Sequence, residues 1–186
     1  MDVGTGDGRF VLGRARSEPA GFHIGFDPVA EAMAEASRRA AAKPARGGLE
    51  NAMFVQAGLE TLGDALNGLA DRLTVNFPWG SLLRAVALPD PAQLTRLAAL
   101  AKPGAELDVL VNLTPLRDLA YVEKLGLSDA ALTGDEHRLR RRYAAAGWSV
   151  RSIEEVTGTL IRATRWGSQL HHAGREVVRL RAVRSF

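Results

Sequence analysis

The chain has 186 residues, 46% hydrophobic and 24% charged, which fits one folded domain and excludes a disordered chain. It has no cysteine, which excludes disulfides, cysteine-based zinc sites and thiol nucleophiles, and no metal site is expected. No apolar run reaches the ~20 residues of a membrane helix and no signal-peptide pattern opens the chain, so a cytoplasmic protein without a membrane partner is expected. The net charge of +3 hides an asymmetry: residues 1–136 hold 13 Lys/Arg and 18 Asp/Glu, whereas residues 137–186 hold 11 Arg and 3 Glu. The basic quarter is either a face for an anionic partner or a solvated helix followed by an Arg-rich strand.

In chain order, Met1–Val3 reads as the stub of a strand, so the chain is expected to begin inside a structural element. The turn Gly4–Gly8 and a helix from Arg9 to Arg16 follow. Phe22–Asp27 is a short buried strand, and Pro28 suits the first turn of the helix Val29–Ala42. Lys43–Gly48 is a break, Ala52–Gln56 a strand and Leu59–Leu69 a helix. Arg72–Phe77 is a strand ending at Pro78. Pro91–Leu100 is a helix, Pro103–Gly104 a turn and Glu106–Leu113 an apolar strand. Residues 114–134 form an irregular linker. Asp135–Ala146 is a helix, Trp148–Val156 a strand with Trp148 in the core, residues 157–174 a second linker, and Glu176–Val183 an alternating last strand. Strands alternating with helices predict one α/β domain, a doubly wound, mostly parallel seven-stranded sheet with an antiparallel last strand.

Asp2-Val3-Gly4-Thr5-Gly6-Asp7-Gly8 stands between a strand and a helix. Its G-x-G-x-G spacing misses the dinucleotide pattern G-x-G-x-x-G, because Arg9 occupies the last position. Asp2 beside the turn would repel a pyrophosphate but attract the ammonium of an amino acid. Asp27, at the end of the second strand, suits two ribose hydroxyls. Ala57, Gly58, Leu59 and Glu60 follow the third strand and leave room for an adenine ring. An amino acid, a ribose and an adenine without phosphate describe S-adenosylmethionine. Thr5, Asp7, Pro28, Asn76, Pro78 and Ser81 are the other residues expected around it. The competing reading is a structural turn with a surface aspartate.

Trp79 lies in Asn76-Phe77-Pro78-Trp79-Gly80-Ser81-Leu82-Leu83-Arg84, beyond the fourth strand, where ligands of doubly wound sheets sit. It either meets the substrate or packs under the helix that follows. Trp166, among arginines in the second linker, suits base stacking or anchors its loop. His171 and His172 read as linker residues. Two indole faces could clamp a base flipped from a helix. Methylation of a ring nitrogen such as adenine N1 needs no general base and creates a cation that indoles stabilise.

DVGTGDG, AAAKPARGGL, FPWGSLLR and WGSQLH, in this order over nearly the whole chain, resemble the aminoglycoside-resistance 16S rRNA methyltransferases of the kanamycin–apramycin type. Those enzymes methylate N1 of adenine 1408 in the decoding site. The resemblance implies a Rossmann-like class I methyltransferase that binds S-adenosylmethionine through Gly4, Gly6, Asp27 and the Ala57–Glu60 loop. It implies that Trp79 and Trp166 stack the flipped adenine. It also implies that Lys43, Arg46 and Arg175 dock on rRNA, with the Arg138–Arg142 group extending that surface. The partner is the 30S subunit near helix 44, met by a monomer. The chain departs from the family in lacking its N-terminal extension and part of the first strand, which places the true start codon upstream, and in carrying Arg165 where relatives have a small polar residue. Those departures keep two alternatives open: methylation of another RNA or a small molecule, and RNA binding with weak or no turnover.

Overall fold

The computed structural model describes residues 1–117, 122–123, 135–156 and 176–186. Seven strands form one mixed sheet in the order β3-β2-β1-β4-β5-β7-β6. They are β1 (Asp2–Val3), β2 (His23–Asp27), β3 (Ala52–Gln56), β4 (Ala70–Asn76), β5 (Ala101–Asn112), β6 (Trp148–Glu155) and β7 (Val177–Arg184). The helices are α1 (Arg9–Ser17), α2 (Ala30–Ala40), α3 (Gly80–Ala87), α4 (Pro91–Leu100) and α5 (Glu136–Ala145). The residues divide into two compact units, one over Met1–Leu62 and one holding the described residues from 63 onward. Among the described residues no helix is long and apolar enough to cross a membrane.

In the first unit β1 pairs with β2 and β2 with β3, all parallel. Leu12 of α1 and Ala36 and Ala40 of α2 form an apolar cluster, joined by Leu49, Ala52 and Phe54. Gly8 is where α1 starts against this cluster. It sits at φ +70, and a Cβ there would lie 2.5 Å from Phe54 and 2.6 Å from Ala36. Backbone conformation and packing therefore both demand glycine. Asn51 closes the α1–β2 loop by donating to the carbonyls of Ala15 and Gly21.

In the second unit β4 and β5 are parallel, and β7 lies antiparallel between β5 and β6. The apolar strand centres are fully buried at Leu73, Val75, Leu107 and Leu110. Trp148 is buried too, and its indole N–H donates to Leu94 at 3.1 Å. Asp108 and Arg179 join β5 to β7 through two hydrogen bonds of 2.9 and 2.7 Å, and that carboxylate raises the guanidinium pKa. Tyr143 of α5 is buried and donates to the Val86 carbonyl at 3.1 Å, and burial pushes its phenol well above the ordinary tyrosine range. Tyr143→Phe removes that donor, and a loss of about 1 kcal/mol is expected in chemical denaturation.

Several expectations need correction. Leu59–Leu69 is not a helix: only Asp64–Leu66 forms a 3-10 turn, between an extended Gly63 and an extended Asn67, and Gly68 at φ 66 turns the chain away. Pro28 precedes the first helical turn, because Val29 is the N-cap of α2, and Ala41 already caps the other end. Phe22 is outside β2 and 59% exposed. Pro103 and Gly104 fall within β5, in the irregularity between the pairs Ala70–Ala101 and Arg72–Glu106. The basic C-terminal quarter is only partly available to a partner. Arg140 bonds Glu136 and the Val150 carbonyl, Arg142 the Pro89 carbonyl, Arg179 Asp108, and Arg184 the carbonyls of Ala98 and Gly147. These guanidiniums fasten helix to strand and strand to strand.

Candidate active site

The first unit presents three segments at the C-terminal ends of its parallel strands. After β1 the chain turns through Gly4, Gly6 and Gly8, all at positive φ. The Gly4 and Thr5 amides both donate to the Phe26 carbonyl, which fastens the turn to β2. Thr5 is buried against Gly25: a Cβ at Gly25 would lie 2.9 Å from the Thr5 hydroxyl. The bare backbone of Gly25 thus makes room for the turn. Gly6 differs: among the described residues other than its chain neighbours, nothing lies within 4 Å of a Cβ position there, which leaves its backbone approachable.

Asp27 ties the turn to the next helix. One carboxylate oxygen accepts from the Gly6 amide and the other from the Val29 amide, each at 2.9 Å. Its side chain therefore orders the site as well as facing it, a role that strand-end position alone does not disclose. Asp2 is buried in β1. Asp7 accepts from the Arg9 amide and pairs with its guanidinium at 3.5 Å. Pro28 is exposed.

The third segment is fixed by a residue the sequence reading missed. The Thr61 hydroxyl accepts from the Gly58 amide at 3.0 Å, while the Thr61 and Leu62 amides donate back to the Gly58 carbonyl. The signal for it is a threonine three residues after a glycine, a hydroxyl-closed turn. Ala57 donates to the Asp27 carbonyl. Leu59 is buried, so it anchors the loop inward, and Glu60 is exposed. With Asp2, Asp7, Asp27 and Glu60, these loops carry four carboxylates and no phosphate-binding cation besides the paired Arg9. That donor set suits S-adenosylmethionine, whose ammonium and sulfonium are positive and whose ribose offers hydroxyls, and it opposes a pyrophosphate. The residues present fit that group.

In the second unit, the end of β4 carries the other candidate residues. Asn76, Phe77 and Pro78 are buried, Trp79 is 44% exposed and Ser81 is exposed. Phe77 holds φ 50, a conformation that costs a bulky residue about 1 kcal/mol or more. The strain persists because the Phe77 amide donates to the Leu110 carbonyl at 2.8 Å and its side chain is buried. Gly80 at φ 56 turns the chain again into α3, whose N-cap is Trp79. An indole is thus half out in solvent on a backbone fixed at both sides. The position and strain of Phe77 carry no sequence signal, since its type reads as a strand residue.

Lys43 and Arg46 flank the 3-10 turn Pro44–Arg46, and both are exposed. The Lys43 carbonyl accepts from the amides of Arg46 and Gly48, so a closed turn presents the two cations. Neither side chain bonds a described residue, whereas Arg38 and Arg39 pair with Glu35. Trp166, Arg175, His171 and His172 lie outside the described residues.

A family profile for the 16S rRNA (adenine(1408)-N(1))-methyltransferase NpmA matches residues 1–184. The curated 16S rRNA (adenine(1408)-N(1))-methyltransferase of Streptoalloteichus tenebrarius is 37% identical over 177 residues, covering 92% of this chain and 79% of that protein. The crystal structure of the aminoglycoside-resistance methyltransferase NpmB1 superposes with a TM-score of 0.82 at 41% identity, over 98% of this chain and 85% of that one. A mutant of the 16S rRNA (adenine(1408)-N(1))-methyltransferase from Catenulisporales acidiphilia, solved with the cosubstrate S-adenosylmethionine, gives a TM-score of 0.81 at 35% identity, over 100% of this chain and 84% of that one. With a seven-stranded sheet closed by an antiparallel strand and a glycine turn suited to S-adenosylmethionine, the chain belongs to the 16S rRNA (adenine(1408)-N(1))-methyltransferase family.

Proposed function

We propose that this chain transfers a methyl group from S-adenosylmethionine to N1 of adenine 1408 of 16S rRNA, in the helix 44 region of the 30S subunit, the modification of the aminoglycoside-resistance enzymes. It acts as a monomer in the cytoplasm. The observation that carries the reading is Trp79, a half-exposed indole on a backbone fixed by Phe77 and Gly80.

When bound, S-adenosylmethionine supplies an electrophilic methyl group. Gly4, Gly6, Asp2 and Asp27 hold its amino-acid and ribose parts, with Thr5 and Asp7 shaping the turn. Pro28 and Ala57–Glu60 would flank the adenine, and Asn76, Pro78 and Ser81 are the remaining residues assigned to the cofactor. Adenine N1 attacks through an in-plane lone pair, so no side chain has to remove a proton first. The chain's task is to hold the base still and stabilise the positive charge that develops on it. Trp79, with Trp166 as the second wall, does both, because an indole face stacks a base and attracts a cation.

Lys43, Arg46 and Arg175 dock on rRNA phosphates. A basic turn of this kind reads the shape and backbone of folded RNA and leaves its sequence unread. Reversing both charges (Lys43→Glu with Arg46→Glu) is expected to lower methyl transfer to 30S subunits by about tenfold or more at moderate salt, with affinity for S-adenosylmethionine unchanged. An unchanged rate would remove Lys43 and Arg46 from the docking surface.

A further inference from the structure

Arg84 is the cation nearest in sequence to Trp79, and the fold gives it nothing to do. It lies on α3, whose buried face is Leu83, Ala85, Val86 and Ala87. Arg84 itself is exposed, and its guanidinium bonds no described residue. In the same unit Arg72, Lys102, Arg140, Arg142, Arg179 and Arg184 all hold a carboxylate or a carbonyl.

Its surroundings suit a nucleotide. Arg84 stands three residues after Ser81, so the two side chains share one face of the helix, and Ser81 is exposed as well. A helical side chain leans toward the N-terminal turn and covers the surface above the preceding residues. For Arg84 that surface is the Gly80–Ser81 turn, immediately after Trp79. Among the described residues, apart from its chain neighbours and its own helix, nothing lies within 4 Å of a Cβ position on Gly80. An exposed aromatic face, an open glycine turn, a hydroxyl and an unpaired guanidinium therefore follow one another along a single strip. An RNA strand offers the matching series of base, sugar and phosphate, and a planar guanidinium grips phosphate oxygens with two parallel N–H donors.

We propose that Arg84 holds a phosphate of the RNA strand that carries the target adenosine, beside the base stacked on Trp79. This rests on the proposal that Trp79 meets that base. The contact fixes the strand at the point of base extrusion, whereas Lys43 and Arg46 dock the body of the rRNA.

The test uses Arg84→Gln, Arg84→Glu and Arg84→Lys in the full chain. It measures 30S binding at several salt concentrations, methyl transfer, S-adenosylmethionine affinity and melting temperature. Arg84→Gln is expected to reduce the slope of log affinity against log salt by about one, and Arg84→Glu to lower kcat/KM on 30S about tenfold or more. Arg84→Lys keeps the slope, and melting temperature and cofactor affinity stay at the parental values. An unaltered slope in Arg84→Gln overturns the proposal. So does a loss of activity matched by a fall in melting temperature, which would make Arg84 only a partner for the C-terminal end of α3. If the parent binds 30S with the Arg84-dependent slope yet transfers no methyl group, the phosphate contact stands and the methyltransferase reading falls.

Discussion

Replacing Trp79 with alanine is expected to lower kcat/KM for methyl transfer to 30S subunits by about 100-fold while S-adenosylmethionine affinity changes less than about twofold. Stacking on an aromatic face contributes about 1–3 kcal/mol per base, and each 1.36 kcal/mol is about tenfold in rate. The cationic product adds a term that appears only as the methyl group transfers, so kcat falls along with binding. The side chain is 44% exposed, so its removal leaves the buried core of α3 in place. Trp79→Phe keeps a smaller face and should recover part of the activity. If Trp79→Ala instead lowers the melting temperature by many degrees and abolishes cofactor binding, the indole is packing, and the active-site assignment at this turn is wrong.

Asp27 carries the second large effect. Its two oxygens satisfy the Gly6 and Val29 amides at 2.9 Å each, and hydrogen bonds to a charged group contribute about 1.5–3 kcal/mol apiece. Asp27→Ala leaves both amides without their acceptor and removes the proposed ribose partner. The expected result is a loss of S-adenosylmethionine affinity of about 100-fold or more by calorimetry. A lower melting temperature in the cofactor-free protein should accompany it. Asp27→Asn should fall between, since an amide has one acceptor oxygen for two N–H donors. The cofactor-free melting temperature separates two roles. A residue that only binds ribose would leave it unchanged, and such a result would remove Asp27 from the ordering of the glycine turn.

The strands and most helices were legible because period-2 and apolar runs alternate with amphipathic stretches bounded by Gly, Pro and Asp. Asp135, for example, caps α5 by accepting from the Arg138 amide. The loop after β3 was misread because Leu59–Leu69 has apolar spacing suited to a helix. Gly63, Asn67 and Gly68 break it, and the Thr61 hydroxyl closes a different turn. The glycine turn and Asp27 stood out as candidates, yet their division of labour did not. Gly8 is glycine for packing, Gly6 has no described side chain beside it, and Asp27 ties the Gly6 amide to the start of α2. These distinctions depend on neighbours such as Phe54 and Ala36 that are remote in sequence.

Charge was the least transparent feature. The +8 of the last 50 residues looks like one basic face when counted along the chain. Arg179 meets Asp108 across 71 residues, and Arg184 meets Ala98 across 86, which no local pattern announces. The exposed cations that bond no described residue are scattered: Arg16, Lys43 and Arg46 in the first unit, and Arg84, Arg141, Arg151 and Arg181 in the second. The RNA contacts proposed here therefore fall on exposed side chains carried by turns and helix faces, and not on bulk charge.

Methylation at N1 blocks the Watson–Crick edge of adenine, so reverse transcriptase halts beside a modified base. Purified 30S subunits incubated with this chain and tritiated S-adenosylmethionine should take up about one methyl group each, with a new primer-extension stop at adenine 1408. Label taken up with no stop there, or no label at all from a chain that binds the cofactor, would contradict the account.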